Sequence, residues 1–479
     1  MQKLKTNFIL VYGASGTLII IMSLFMVRFT TIRLFLFFSF FEISAQEIIK
    51  IAEAEAKSAS SKIHFRANPN TSNYDITYHK LEFTVDPAVA NISGKVTTIF
   101  TAKENMSQVI FDLDDNMTVT SVTQNGNSLS FLQNSSDELV ITLENILLLN
   151  NSTSVIIEYN GNPTSNGFGS FAIDIHGNTD TPVLWTLSEP YGALGWWPCK
   201  QDLNDKINEI DVYITAPETY TAVSNGLEQS TTINVGQKTT HFNHNYPIPA
   251  YLIAIAVTNY NTYSHQVSYS GNNFPIVNYV YPESEVSAQT NTLVTVDVMK
   301  HFIDLFGDYP FKNEKYGHAQ FGWGGGMEHT TVSFMGSFGR DLIAHELAHQ
   351  WFGNKVTCGS WKDIWLNEGF ATFLTGLATE KLDGDTAYKN WRISKNNSIT
   401  SLNNGAVYLT DADTTSVNRI FSPRLSYNKG AMVLHMLRKK LGETNFFNAV
   451  KNYITDPNLA YKYAKTPDLI AHLETSSGL

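Results

Sequence analysis

The chain has 479 residues, 43% hydrophobic, 12% aromatic and only 16% charged, with a formal net charge of -11. That length exceeds what one hydrophobic core usually organises, so more than one domain is expected. The acidic balance and the lack of any block of like charges argue against a nucleic-acid groove and predict a soluble acidic surface.

Taken in chain order, the first 45 residues read as a targeting segment. Arg28 and Arg33 precede the apolar run Leu34 to Phe41, and Ile43-Ser44-Ala45 offers a small-residue cleavage site before Gln46. This charged, apolar, small-residue order is that of a secretory signal peptide, so export to a periplasmic, extracellular or cell-surface location is expected. A second apolar run, Leu18 to Val27, lies upstream, and a translation start at Met26 would account for it. A membrane anchor is the alternative, but the two arginines interrupt the run before the ~20 residues a spanning helix needs. No stable span is therefore expected after cleavage.

Residues 46–73 read as a polar linker or short helix. From Tyr74 to Tyr260 the texture is β: Leu81, Phe83 and Val85 alternate with polar residues, and Val109 to Phe111, Val155 to Ile157, Ile210 to Ile214 and Tyr251 to Val257 are strand-like runs. Asn125-Gly126 and Asn225-Gly226 read as hairpin turns. An antiparallel sandwich or open sheet follows from this pattern. Cys199 and Cys358, the only two cysteines, lack metal-ligand spacing with a partner and read as buried thiols.

Beyond Tyr260 the pattern changes. Ile276 to Tyr281 reads as a strand, and Glu283 to Phe306 as a long amphipathic helix closed by Gly307 and Pro310. The glycine-rich run Gly322 to Gly326 leads through Met327, Glu328 and His329 into Thr330 to Phe334, read as a strand. Such a strand could lay an extended peptide along its edge, with glycines letting the substrate backbone approach.

Asp341 to Phe373 then carries the chemistry. His345-Glu346-Leu347-Ala348-His349 lies in an apolar-periodic stretch without Pro or Gly, so a helix is expected, with both imidazoles on one face where they can share a zinc ion. Glu346 would reach a water on that ion without ligating it. H-E-x-x-H alone arises by chance in helices. Glu368, with eighteen residues between it and His349 and at the head of another apolar run, completes a two-His, one-Glu site with an open position.

Three signatures now stand in order: Gly-x-Met-Glu at Gly325 to Glu328, the H-E-x-x-H with its distant Glu, and Ser426-Tyr427-Asn428-Lys429-Gly430-Ala431. Together they resemble the gluzincin aminopeptidases of the aminopeptidase N and leukotriene hydrolase family, in a bacterial, secreted form. Trp197-Pro198-Cys199 with Asp202 and Lys206, Asn225-Gly226 and Tyr251-Leu252 extend the likeness from about Tyr74 to the chain end. The resemblance implies an α+β multidomain fold, with a β-sandwich or saddle domain over 74–260 and a thermolysin-like α/β zinc-peptidase domain over 261–479. It implies one Zn2+ per chain held by His345, His349 and Glu368, with Glu346 as general base and Tyr427 stabilising the oxyanion. Glu328 and Glu189 would bind the substrate's free α-ammonium, while Gly325, Gly326 and Met327 would receive the peptide. The expected activity is removal of N-terminal residues from peptides with a free amine. A thermolysin-like endopeptidase and an inactive peptide-binding fragment are the alternatives.

Two features depart from the family pattern. His329 stands where the family has Asn, and an imidazole titrating near neutrality would add a pH dependence. The sequence also stops at Leu479, where family members continue into a helical domain, so a C-terminally truncated chain is expected.

Overall fold

The computed structural model describes residues 67–163 and 170–478, together with Ala52. The leader, the start at Met26 and most of the polar segment before Tyr74 lie outside the described residues.

The β texture becomes three sheets. The largest has eight strands, in the order Leu227–Asn234, Gln237–His244, Glu209–Pro217, Tyr74–Asp86, Val89–Ala102, Ser152–Gly161, Met117–Gln124 and Asn127–Ser128. Alternation along Tyr74–Asp86 turns Leu81, Phe83 and Val85 inward, each contributing about 1.5–3 kcal/mol by leaving water. One pairing departs from the antiparallel expectation, because Tyr74–Asp86 lies parallel to Glu209–Pro217. Residues far apart in sequence are thus joined at the sheet centre. Asn125 and Gly126 both have positive φ and link two antiparallel strands as a tight hairpin. Asn225-Gly226 makes no hairpin: it joins Thr221–Ser224 of a four-stranded sheet to Leu227–Asn234 of the eight-stranded one.

Residues 261–335 form a five-stranded sheet in the order Asn261–Tyr269, Asn272–Val280, Tyr316–Gln320, Ser333–Met335 and Gly326–Met327. The edge open to a peptide is therefore Gly326–Met327, antiparallel to Phe334 and Met335. The expected long helix is two, Glu285–Thr292 and α1 (Val294–Phe306), meeting at Leu293. Gly307, at φ +89°, closes α1 by donating to the Ile303 carbonyl. Three further helices matter for the site: α2 (Arg340–His349), α3 (Trp365–Asp383) and α4 (Gly430–Leu441).

Two apolar cores meet at α2. Leu342 and Ile343 belong to the core that runs through the β-rich part, whereas Ala344, Leu347, Ala348, Trp351 and Phe352 pack into the helical core. A helix with apolar contacts on both sides is buried nearly all round. Its polar residues His345, Glu346 and His349 are consequently removed from water. Cys199 and Cys358 are buried free thiols, as the sequence suggests.

Candidate metal centre and its acidic cleft

His345 and His349, one helical turn apart on α2, bring their Nε2 atoms within 3.2 Å of each other. Glu368, near the start of α3, sets Oε2 at 3.3 Å from His345 Nε2 and 3.5 Å from His349 Nε2. A tetrahedral zinc with bonds of about 2.0–2.1 Å separates its ligands by about 3.3 Å, so the triangle fits that ion. His349 Nδ1 lies 3.1 Å from the Phe352 carbonyl oxygen. Donation there orients the ring so that Nε2 faces His345 and Glu368, the nitrogen a metal would take once its proton leaves.

Glycines bring the third motif to the first two. Gly369 and Gly430 touch backbone to backbone: a side-chain carbon on either would meet the other's Cα at about 3 Å. Only residues without Cβ let α3 and α4 cross this closely. The contact seats Tyr427, in the π-helical turn Pro423–Lys429, beside the metal triangle, with its ring stacked on His345 at 6.0 Å. π-Turns interrupting helices are frequent at functional sites. The Tyr427 hydroxyl is buried and has no hydrogen-bond partner.

Gly325 and Gly326 have separate reasons for being glycine. Gly325 has φ +133°, and a side chain on Gly326 would collide with the Glu346 carboxylate. The edge strand thus lies directly on Glu346, whose two carboxylate oxygens are buried without hydrogen bonds. Met327 is buried in the same strand.

Glu328 and Glu189 join this cluster. Ligand oxygens of Glu189, Glu328 and Glu368 lie within 4.8 Å of one another, as do those of Glu328 and Glu346 with a His349 nitrogen. Four buried carboxylates share one small volume. Burial drives the Glu189 carboxyl well up, with Glu328, Glu368 and Glu346 adding to the effect. Burial also raises Glu346 well above its ordinary value, against the pull of His349, and carries Glu328 to about 6. At Glu368 burial pushes up, but His349 and His345 overcome it and hold the group at about 2. Burial lowers His345 to about 4. For His349 it is outweighed by Glu368 and Glu328, which hold the imidazole protonated up to about 10. One proton on His349 thus offsets part of a large negative charge, and cationic occupants would offset the rest.

His329 departs from its expectation. It is wholly buried against Phe334, and burial pushes its imidazole down to about 3. It stays neutral near pH 7, so no extra titration arises there.

Asn354 also belongs to this site and has no motif to announce it, while Lys206 and Tyr251, landmarks of the resemblance, come in beside it. Asn354 Nδ2 donates to the Glu328 carbonyl at 2.7 Å, and Lys206 Nζ donates to the Asn354 carbonyl at 2.7 Å. The lysine thereby ties the β-rich part to the turn that follows α2. Tyr251, also buried with a partnerless hydroxyl, has its pKa raised by burial and then by Glu328 and Glu189.

Residues 70–252 match the Peptidase M1 N-terminal domain and residues 337–479 the Peptidase family M1 domain. The chain belongs to peptidase family M1. Among M1 relatives, glutamyl aminopeptidase of Homo sapiens is 29% identical over 323 residues, covering 62% of this chain and 33% of that protein. Alanine/arginine aminopeptidase of Saccharomyces cerevisiae is 30% identical over 322 residues, covering 61% and 36%. The chain thus spans about a third of the length of these curated relatives. An M1 zinc metallopeptidase from Deinococcus radiodurans superposes with a TM-score of 0.73 at 25% identity, covering 85% of this chain and 92% of that one. A structure of that enzyme holds a Tyr-Ser-Ala substrate.

Proposed function

We propose that this M1 chain is a zinc-dependent aminopeptidase that hydrolyses the first peptide bond of substrates with a free α-amine. One observation carries the reading: the Glu189 and Glu328 carboxylates lie within 4.8 Å of the metal-facing acid Glu368. An ammonium held between those two acids sits about one residue from the bond being cut. A blocked amine would leave the buried Glu328 carboxylate without its cation, at a cost of about 1–3 kcal/mol or more.

Zinc held by His345, His349 and Glu368 would supply a Lewis acid that makes water nucleophilic at neutral pH. Glu346 takes the proton of the attacking water on a carboxylate oxygen and returns it to the leaving nitrogen. A carboxyl group beside the metal triangle can serve both halves of that transfer. The Tyr427 hydroxyl donates to the carbonyl oxygen as negative charge develops, a role matched by its lack of any other partner. Gly326–Met327 presents an open strand edge for the peptide main chain.

The test is release of chromophore from free-amine aminoacyl anilides, with and without chelator, in wild type and Glu328→Ala. Chelator-sensitive release that collapses in the variant supports the reading. Equal cleavage of N-acetylated peptides points instead to an endopeptidase. We also infer export, on the strength of the Arg28 to Ala45 leader pattern. N-terminal sequencing of the mature protein should begin near Gln46, and an uncleaved leader would count against it.

A further inference from the structure

Thr331 has φ +68°, a region that β-branched residues hardly ever enter. Strain of this kind persists only where neighbours over-determine it, and it gathers at binding and catalytic sites. Here the Thr331 N–H donates to Gln350 Oε1 at 3.0 Å, and the Thr331 hydroxyl accepts from the Gly226 N–H at 2.8 Å. One residue earlier, the Thr330 carbonyl accepts from Asn225 Nδ2 at 2.8 Å. The carbonyl of Glu328 itself accepts from Asn354 Nδ2 at 2.7 Å and Gln350 Nε2 at 3.3 Å. Asn225, Thr331 and Gln350 are fully buried.

These bonds reach Glu328 from two directions. Gln350 follows His349 directly, so the metal helix grips the segment from one side, and the Asn225-Gly226 corner of the β-rich part grips it from the other. Upstream, the Gly325 carbonyl accepts from the Gly336 N–H at 2.8 Å and Gly326 and Met327 pair with Met335 and Phe334, but Gly324, Gly325 and Gly326 carry the backbone freedom of glycine. The strand Gly326–Met327 is only two residues long, and a slip of one residue would turn Glu328 to the opposite face.

We propose that Thr331, Gln350 and Asn225 form a positioning clamp that fixes Glu328 relative to the metal triad and so sets selectivity for a free α-ammonium over a blocked amine. The proposal rests on the aminopeptidase reading above. The three residues act through Glu328 and touch no reacting atom.

The test uses calorimetric binding of L-leucine hydroxamate and N-acetyl-L-leucine hydroxamate to the zinc-loaded protein. Both probes can reach the metal, and only the first carries the amine. Thr331→Val keeps the side-chain shape and removes the hydroxyl acceptor; Thr331→Gly removes it while relieving the positive φ, and so carries the test if the valine variant fails to fold. Each should weaken the free-amine probe about tenfold, the scale of a lost buried hydrogen bond with its consequences, and leave the acetylated probe within about twofold. Zinc should stay at one per chain, and Thr331→Ser should restore wild-type selectivity. Equal weakening of both probes, or loss of zinc, would show a merely structural role and overturn the clamp. Unchanged binding in the valine or glycine variant also overturns it, and the aminopeptidase reading stands if Glu328→Ala still loses selectivity. If Glu328→Ala keeps wild-type selectivity, the amine assignment fails and the clamp falls with it.

Discussion

Replacing Glu328 by Gln should remove a pH-dependent destabilisation of the metal-free protein and make the enzyme less active. The folded carboxyl sits at about 6 against an ordinary 4.5, which at about 1.36 kcal/mol per pH unit makes ionising it cost about 2 kcal/mol. Because the folded value lies above the unfolded one, the folded state binds more protons between these two pH values. Wild-type stability therefore falls as pH rises from about 4.5 to about 6. The amide does not titrate. Any cost of its unpaired N–H groups is independent of pH, so the variant-minus-wild-type difference isolates the carboxyl. That difference, from urea unfolding of the metal-free proteins between pH 4 and 8, should move by about 2 kcal/mol in the variant's favour and then level off. Activity should move the other way. Losing a hydrogen bond to a charged amine costs about 1.5–3 kcal/mol, so kcat/KM on a free-amine anilide should fall roughly 10- to 100-fold with zinc content unchanged. A stability difference that stays flat with pH, or one that moves against the variant, would refute the burial argument.

Glu346→Gln should lower kcat by about 10²–10⁴ without loss of zinc, since its carboxylate lies outside the His345, His349 and Glu368 triangle; metal analysis showing a parallel loss of zinc would contradict this. Metal binding should release a proton, because burial of His349 is outweighed by Glu368 and Glu328 and the imidazole stays protonated up to about 10. Zinc affinity should then rise by about tenfold per pH unit from pH 6 to 9, and titrations in two buffers of different ionisation enthalpy would show no proton release if the reasoning fails. His329→Asn should leave the pH–rate profile unchanged between pH 5 and 8, since burial already holds that imidazole at about 3. A shifted limb would show that His329 titrates after all.

The candidate metal triad is legible because its decisive spacing is local. Residues four apart share a helix face whatever the rest of the chain does, and Glu368 was flagged by its place at the head of an apolar helix. The alternation of Leu81, Phe83 and Val85 announced a buried strand face for the same reason. The parallel pairing of Tyr74–Asp86 with Glu209–Pro217 left no such mark, since register between distant strands is decided by what fills the space between them. Asn225-Gly226 carried a hairpin signature and yet became a corner between two sheets, because a dipeptide sets backbone angles but not the destination of the next strand.

By itself the sequence determined the donor set, its helical spacing and the glycines that a close backbone approach demands. Only the tertiary structure decided that Gly369 meets Gly430, that Gln350 and Asn354 hold the Glu328 carbonyl, and that His329 is neutral. The physical reason is desolvation and long-range packing: a side chain's charge state and partners depend on which distant segments exclude water around it, and local spacing carries no record of them.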